Sequence, residues 1–224
     1  MGNAGLLLVG VVLLVNGLVV LNVVAPRSAA LLNIFVGAAQ VVLPTIILIQ
    51  HAADPLVVNA TWPTYLFGIT YLYYGIGILI GAEPEGLGWF SAFVAVVVGY
   101  LAVGSIGTDP VFAVMLGTWA IMWSLFFLLM AVRLDSLGRF TGWFLVLLGV
   151  PSCTATAIAL LQGHWSVSAT AGWLALAVLA AGVAASVALA RSPLLRSRAA
   201  APAAERPAGA GAKTAVSPAE SVVV

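Results

Sequence analysis

The residues able to do chemistry are few and poorly placed for it. His51 and His164 sit at the ends of apolar runs, with no carboxylate or cysteine spaced to pair with them. Interfacial positions account for both better than metal ligation does. The one cysteine, Cys153, lies near Pro151 in an apolar run. It excludes an intrachain disulfide and a cysteine-based zinc cage, and reads as a small packing residue rather than a nucleophile. All seven acids and eight bases fall in connections, at run ends or in the C-terminal stretch, which also holds the sole lysine, Lys213. A proton relay, a voltage sensor, a Schiff-base site and a carboxylate-ring cation filter each need a charge inside the membrane, and these runs supply none. No catalytic constellation, metal site or cofactor is expected. What remains is uncharged polar chemistry within apolar runs: Asn16, Asn33, Gln40, Thr45, Thr70, Thr118, Ser124, Ser152, Thr154 and Thr156. Such groups bond between helices, or they face a wet path. Asn16 and Asn33 are the costliest to bury unsatisfied, so they either pair across the first two runs or meet solvent.

The elements that must carry these residues follow from composition. Of 224 residues, 63% are hydrophobic and 7% charged, and mean hydropathy is +1.17. An ordinary soluble domain carries about 25% charged residues. A globule this poor in charge would present large apolar patches to water, so lipid is the solvent expected for most of its surface. A net charge of +1 gives no basic face for nucleic acid. A membrane span needs roughly 20 apolar residues. Seven runs qualify, at Ala4–Val24, Ala29–Gln50, Thr64–Gly81, Gly88–Ile106, Val111–Val132, Phe140–Leu161 and Ser168–Ala190. No Lys or Arg precedes the first, which predicts a retained span rather than a cleaved leader. Turn residues such as Asp54-Pro55, Glu83-Pro84-Glu85-Gly86 and Asp109-Pro110 separate them. The expected fold is all-α, a polytopic bundle of about seven transmembrane helices over residues 1–190. The Ala/Pro/Ser-rich residues 191–224 read as a disordered cytoplasmic tail.

Charge placement orients the bundle. With seven spans and the N-terminus outside, Arg27, Arg133, Arg139, Arg191, Arg196, Arg198, Arg206 and Lys213 all fall on the inner side. Leaving the last run uncrossed would put five of the eight bases outside. The third connection is the exception, since it carries Glu83 and Glu85 and no base. The expected setting is the plasma or inner membrane, N-terminus out and C-terminus in.

Three stripes at helical spacing stand out. Leu6, Val9, Leu13 and Asn16 form one, Phe67, Thr70, Tyr71 and Tyr74 a second, and Trp119, Trp123, Phe126 and Met130 a third. Trp62, Trp89 and Trp165 fit a headgroup belt, whereas Trp123 lies deeper. The stripes are compatible with a packed bundle core. They are also compatible with a narrow slot, through which a flat uncharged solute passes while hydrated ions find nothing to replace their water.

Three blocks then carry a resemblance. They are Val9-Gly-Val-Val-Leu-Leu-Val-Asn-Gly17 with Pro26-Arg-Ser28 and Asn33-Ile-Phe-Val-Gly37; Leu66-Phe-Gly-Ile-Thr-Tyr-Leu-Tyr73 with Trp89-Phe-Ser91; and Trp119-Ala-Ile-Met-Trp123 with Leu137-Gly-Arg-Phe-Thr-Gly-Trp143 and Gly163-His-Trp165. In order and spacing the chain resembles the AmiS/UreI family of urea and short-chain amide channels. The resemblance implies three helical hairpins around a pore in each protomer, and a ring of six protomers. It implies constrictions at Leu6, Val9, Leu13, Phe67, Tyr71, Trp119 and Trp123, on the stripes already drawn. Departures are plain. Phe126 and Met130 stand where urea-specialised members place further Trp, and Leu148 where they carry a carboxylate. The outer connections are short, with only His51, Asp54, Asp109 and His164, which argues against an acid gate. The seventh run lies beyond the family's core of six.

The expected function is passive passage of urea or a small neutral amide, supplying an intracellular amidase or urease. Asn16 and Thr70 would offer hydrogen bonds, and Phe126 would complete the lining. The expected partners are that solute, membrane lipid and further copies of the chain. A seven-helix sensor and a structural membrane subunit are the rival readings.

Overall fold

The computed structural model describes residues 2–194, and the expected tail lies outside them from residue 195 on. Among the described residues there are helices and connections only. The helices are α1 (Gly2–Val20), α2 (Pro26–Gln50), α3 (Pro55–Thr61), α4 (Thr64–Ile80), α5 (Glu85–Ser105), α6 (Pro110–Met130), α7 (Gly138–Phe144), α8 (Val150–Leu161) and α9 (Ala169–Arg191). A wide π turn, Leu145–Gly149, joins α7 to α8. Seven stretches are long and apolar enough to cross a membrane. Their outward faces are apolar, with Phe35, Ile49, Val96 and Trp173 all strongly exposed, as lipid-facing side chains must be.

Local chemistry sets the ends. Pro26, Pro55 and Pro110 each open a helix where an amide would lack a partner anyway. Asp54 caps α3 by accepting from the Leu56 and Val57 amides. Asp109 caps α6 by accepting from the Phe112 amide at 2.9 Å. Gly81 closes α4 at φ +70°, a left-handed conformation that glycine adopts without strain.

Two boundaries differ from expectation. The first span ends at Val20 rather than Val24, because Asn22 turns left-handed and the Val23 and Val24 amides fold back on the Leu18 carbonyl. The third apolar stretch runs Pro55–Ile80, since the second connection winds into α3 before α4 begins. Apolarity alone gave no sign of α3, a helix of 7 residues made by its Asp-Pro start.

The helices pack mainly as three pairs: α2 with α4, α5 with α6, and α1 with the sixth span. The third pair joins the first and sixth spans rather than chain neighbours, so it is not a sequential hairpin. Small residues bring the backbones together. A Cβ on Gly75 would lie 2.7 Å from the Ala30 carbonyl, and one on Gly17 would lie 3.0 Å from the Gly142 carbonyl. At one end of the bundle Arg133 reaches Glu83 at 3.6 Å, so the acid of the third connection meets a base of the fifth. The pair is exposed and worth at most about 1 kcal/mol.

The seventh span, α9, packs on α6, α7 and the π turn and is otherwise largely exposed. Arg139 holds its end. The guanidinium Nε donates to Ala190 O at 3.0 Å, and Nη2 donates to the carbonyls of Leu189, Ser192 and Leu194. These carbonyls belong to the last turn or lie past it, where no helical amide reaches all of them. Arg139→Ala should therefore raise amide exchange over residues 186–192, with the rest of the bundle unchanged. Hydrogen exchange in detergent micelles reads this directly.

Candidate functional site

The three stripes converge on one core. Val9, Val12 and Leu13 from α1, Phe67 and Tyr71 from α4, and Trp119, Met122 and Trp123 from α6 are all buried. At its centre Phe67 meets both indoles edge-on, with ring centroids 5.0 Å from Trp119 and 4.6 Å from Trp123. Such T-shaped pairs are the favoured arrangement of aromatic quadrupoles. Each indole N–H is satisfied: Trp119 Nε1 donates to Ser152 Oγ at 3.1 Å, and Trp123 Nε1 to Thr70 Oγ1 at 3.3 Å. The cluster is thus fixed both by ring contacts and by two polar anchors on different spans.

A cavity lies on each side of it. The larger, about 390 Å³, sits at the end that carries the start of α1 and the ends of α5 and α8, and is bordered by Leu6, Gln40, Asn59, Phe67 and Trp119. The smaller, about 30 Å³, is bordered by Asn16, Thr70, Tyr71, Tyr74, Ser91, Phe126 and Met130. That is room for about two waters. A third space, about 270 Å³, shares Tyr74 and Leu87 with it and reaches Gly81, Ala82, Glu83 and Pro84 in the third connection. The first two share no lining residue, so the aromatic cluster is the partition between them. Along α4 the partition is about one turn thick, roughly 5 Å from Phe67 to Thr70–Tyr71. No Asp, Glu, Lys, Arg or His borders either of these two cavities.

Sequence reasoning placed the ten candidate residues on three faces, and the structure distributes them along one line. Leu6 borders the larger cavity, while Val9, Leu13, Phe67, Trp119 and Trp123 form the partition. Asn16, Thr70, Tyr71 and Phe126 border the smaller cavity. The cluster is packed, and a space lies on either side of it.

Two polar residues differ from the simplest expectation. Asn16 and Asn33 exchange two hydrogen bonds, at 2.9 and 2.8 Å, and Asn33 also donates to Ala29 O. Asn33 has thereby used both amide hydrogens, whereas Asn16 keeps one hydrogen and one lone pair. Thr70 gives its proton to Leu66 O at 2.7 Å and accepts from Trp123, so it positions the indole and has no donor left.

Three groups were missed as site residues: Ser91 and Gln40, which border the cavities, and Met122 of the packed cluster. Ser91, which spends its proton on Leu87 O, stood in a block quoted for the resemblance. Met122 lay off the Trp stripe by one residue. Gln40 was read only as a helix-to-helix bonder, and its burial was invisible without the α1–α2 packing. Among the described residues no group of three His, Cys, Asp or Glu could hold a metal ion.

Known proteins resemble this chain in sequence and fold. The profile of AmiS/UreI family transporters matches residues 1–164. A protein of Rhodococcus erythropolis named as the transporter AmiS2 is 48% identical over 189 residues, covering 82% of this chain and 91% of the relative. The acid-activated urea channel of Helicobacter pylori strain J99 is 27% identical over 190 residues, covering 71% of this chain and 97% of the relative. The cryo-EM structure of the Helicobacter pylori urea channel in its closed state superposes with a TM-score of 0.67 at 28% identity, covering 74% of this chain and 100% of that one. Helix α9 begins at Ala169, past the residues that the family profile matches.

Proposed function

Because the chain belongs to the AmiS/UreI family of transporters, we propose that it passes urea or a short-chain amide through the membrane passively. It is a membrane transport protein and not an enzyme. The observation that carries the amide reading is the line of two uncharged cavities parted by one layer of aromatic rings.

The physical argument is short. An ion crossing the partition would shed its hydration shell among Leu13, Phe67, Trp119 and Trp123, none of which offers a compensating charge or a ring of carbonyls. A planar neutral solute sheds fewer bonds. It slides between ring faces and finds hydrogen-bonding groups on both sides: Asn16, Tyr71 and Tyr74 below, and amide side chains above. Binding is weak at every station, as rapid release requires. The path we assign runs by Leu6, Val9, Leu13, Asn16, Phe67, Thr70, Tyr71, Trp119, Trp123 and Phe126. The cargo would feed an intracellular amidase or urease.

In the finer setting, charge supports the orientation and the family resemblance alone suggests the assembly. We place the N-terminus outside and the C-terminus in the cytoplasm, in the plasma or inner membrane, with lipid against the exposed apolar faces and further copies of the chain, in a ring of six, beside it. We expect no acid gate, since Asp54 and Asp109 are already occupied as helix caps and Asp109 also accepts from Trp165 Nε1 at 2.7 Å.

Proteoliposome swelling tests the proposal. Urea or acetamide should enter vesicles containing the full chain faster than protein-free vesicles, at similar rates in acid and at neutral pH. Equal rates with and without protein would leave a sensor or a structural subunit as the better account.

A further inference from the structure

Gln40 is a buried polar side chain that the transport path has not so far used. It sits in the middle of α2 and is 3% exposed. Its carboxamide borders the larger cavity and makes no hydrogen bond within the described residues. An amide left unpartnered inside a bundle costs on the order of 1–3 kcal/mol unless a cavity brings water or solute to it, and this one borders such a cavity. The surroundings are arranged to admit it. Gly5 of α1 leaves the space that the Gln40 Oε1 fills, and any Cβ there would collide with that oxygen. Pro44 stands one turn on, and its missing N–H leaves the Gln40 backbone carbonyl without its helical donor as well. Asn3 and Asn59 border the same cavity further toward its mouth, while Phe67 and Trp119 form its floor.

We infer that Gln40 is an amide-recognition station above the aromatic partition, binding urea and primary carboxamides through a cyclic pair of hydrogen bonds. This rests on the transport reading and says which solutes that path prefers. A carboxamide presents one N–H and one carbonyl on a single edge. Urea and primary amides present the complementary edge, with an N–H syn to the oxygen. Two parallel hydrogen bonds then close a planar ring, and either orientation of the Gln40 amide serves. A secondary amide is overwhelmingly trans, so its N–H points away from its own oxygen and the ring cannot close.

The test uses two isomers of equal size, propionamide and N-methylacetamide, so that sieving by the partition cancels. Flux into vesicles containing the full chain is measured for each, with the protein-free rate subtracted. The wild type should favour propionamide by on the order of tenfold, the effect of one to two net hydrogen bonds. Gln40→Met keeps the length and apolar bulk, and should bring the ratio close to one. The ratio does not depend on how much protein inserts. If Gln40→Met yields no folded protein, Gly5→Ala carries the test, because its methyl displaces the carboxamide and should lower the ratio in the same direction. An unchanged ratio in the folded variant, or no preference in the wild type, overturns the station while leaving the channel standing. No protein-dependent flux of either isomer overturns both.

Discussion

Vesicles containing Trp123→Ala should admit glycerol nearly as readily as acetamide, whereas the wild type should prefer acetamide. Trp123 is 2% exposed, and its indole stands edge-on to Phe67 with centroids 4.6 Å apart. A solute crossing the partition must part that contact. Edge-to-face pairs are worth about 0.5–1.5 kcal/mol beyond their buried area. Deleting the ring removes this term and opens a void connecting the two cavities. A barrier lower by about 1.4 kcal/mol is a tenfold faster crossing. The gain should be greatest for the bulkier, more hydrated solute, so the acetamide-to-glycerol ratio should fall on the order of tenfold. Trp123→Phe, which keeps a ring and loses the N–H to Thr70, should fall between. A ratio that Trp123→Ala leaves untouched would place the path elsewhere in the bundle.

The second large effect concerns stability. Asn16 and Asn33 form a closed amide pair between α1 and α2, with both residues buried. Replacing one by Leu strands the other in an apolar interior, at about 1–3 kcal/mol for the unsatisfied group. The two single variants should differ. Asn33→Leu leaves Asn16 without any partner, whereas Asn16→Leu leaves Asn33 its bond to Ala29 O. The double variant Asn16→Leu with Asn33→Leu removes both amides together and should be milder than Asn33→Leu alone. Thermal unfolding in detergent micelles gives the order: Asn33→Leu lowest in Tm, Asn16→Leu next, and the double variant nearest the wild type. Additive losses in the double variant would show that the pair makes no reciprocal contribution.

Both expectations began in the sequence and were completed by packing. The seven spans were legible because apolar length is a direct requirement of lipid, and the breaks because Asp-Pro and Gly carry fixed backbone chemistry. The three stripes were legible because 3.6-residue spacing puts Phe67 with Tyr71, and Trp119 with Trp123, on common faces. Spacing says nothing about which faces meet. That α1 pairs with the sixth span, so that Leu13 and Ser152 both come against the aromatic cluster, depends on contacts far apart in the chain. Nor does spacing show where a hydroxyl sends its proton. Thr70 looked like a donor to solute, and in the fold its proton belongs to Leu66 O. Gln40 was lost for the same reason: one glutamine among ten uncharged polar residues looks like any other until Gly5 is seen to make room for it.

The wide turn at Leu145–Gly149 has its own consequence. Its bonds span five residues, as the Val150 amide returns to Leu145 O, so the sixth span takes in about one residue more than an ordinary helix would over that height. Rewound as a regular α-helix, the half beyond the turn would rotate by roughly 100°, one residue's worth. Gly142 would stay against Gly17, but Ser152 would swing off the Trp119 indole, and a buried N–H would lose its acceptor. The angular phase of α8, and with it the pose of one tryptophan in the partition, is therefore set by a single surplus residue about one turn before Ser152.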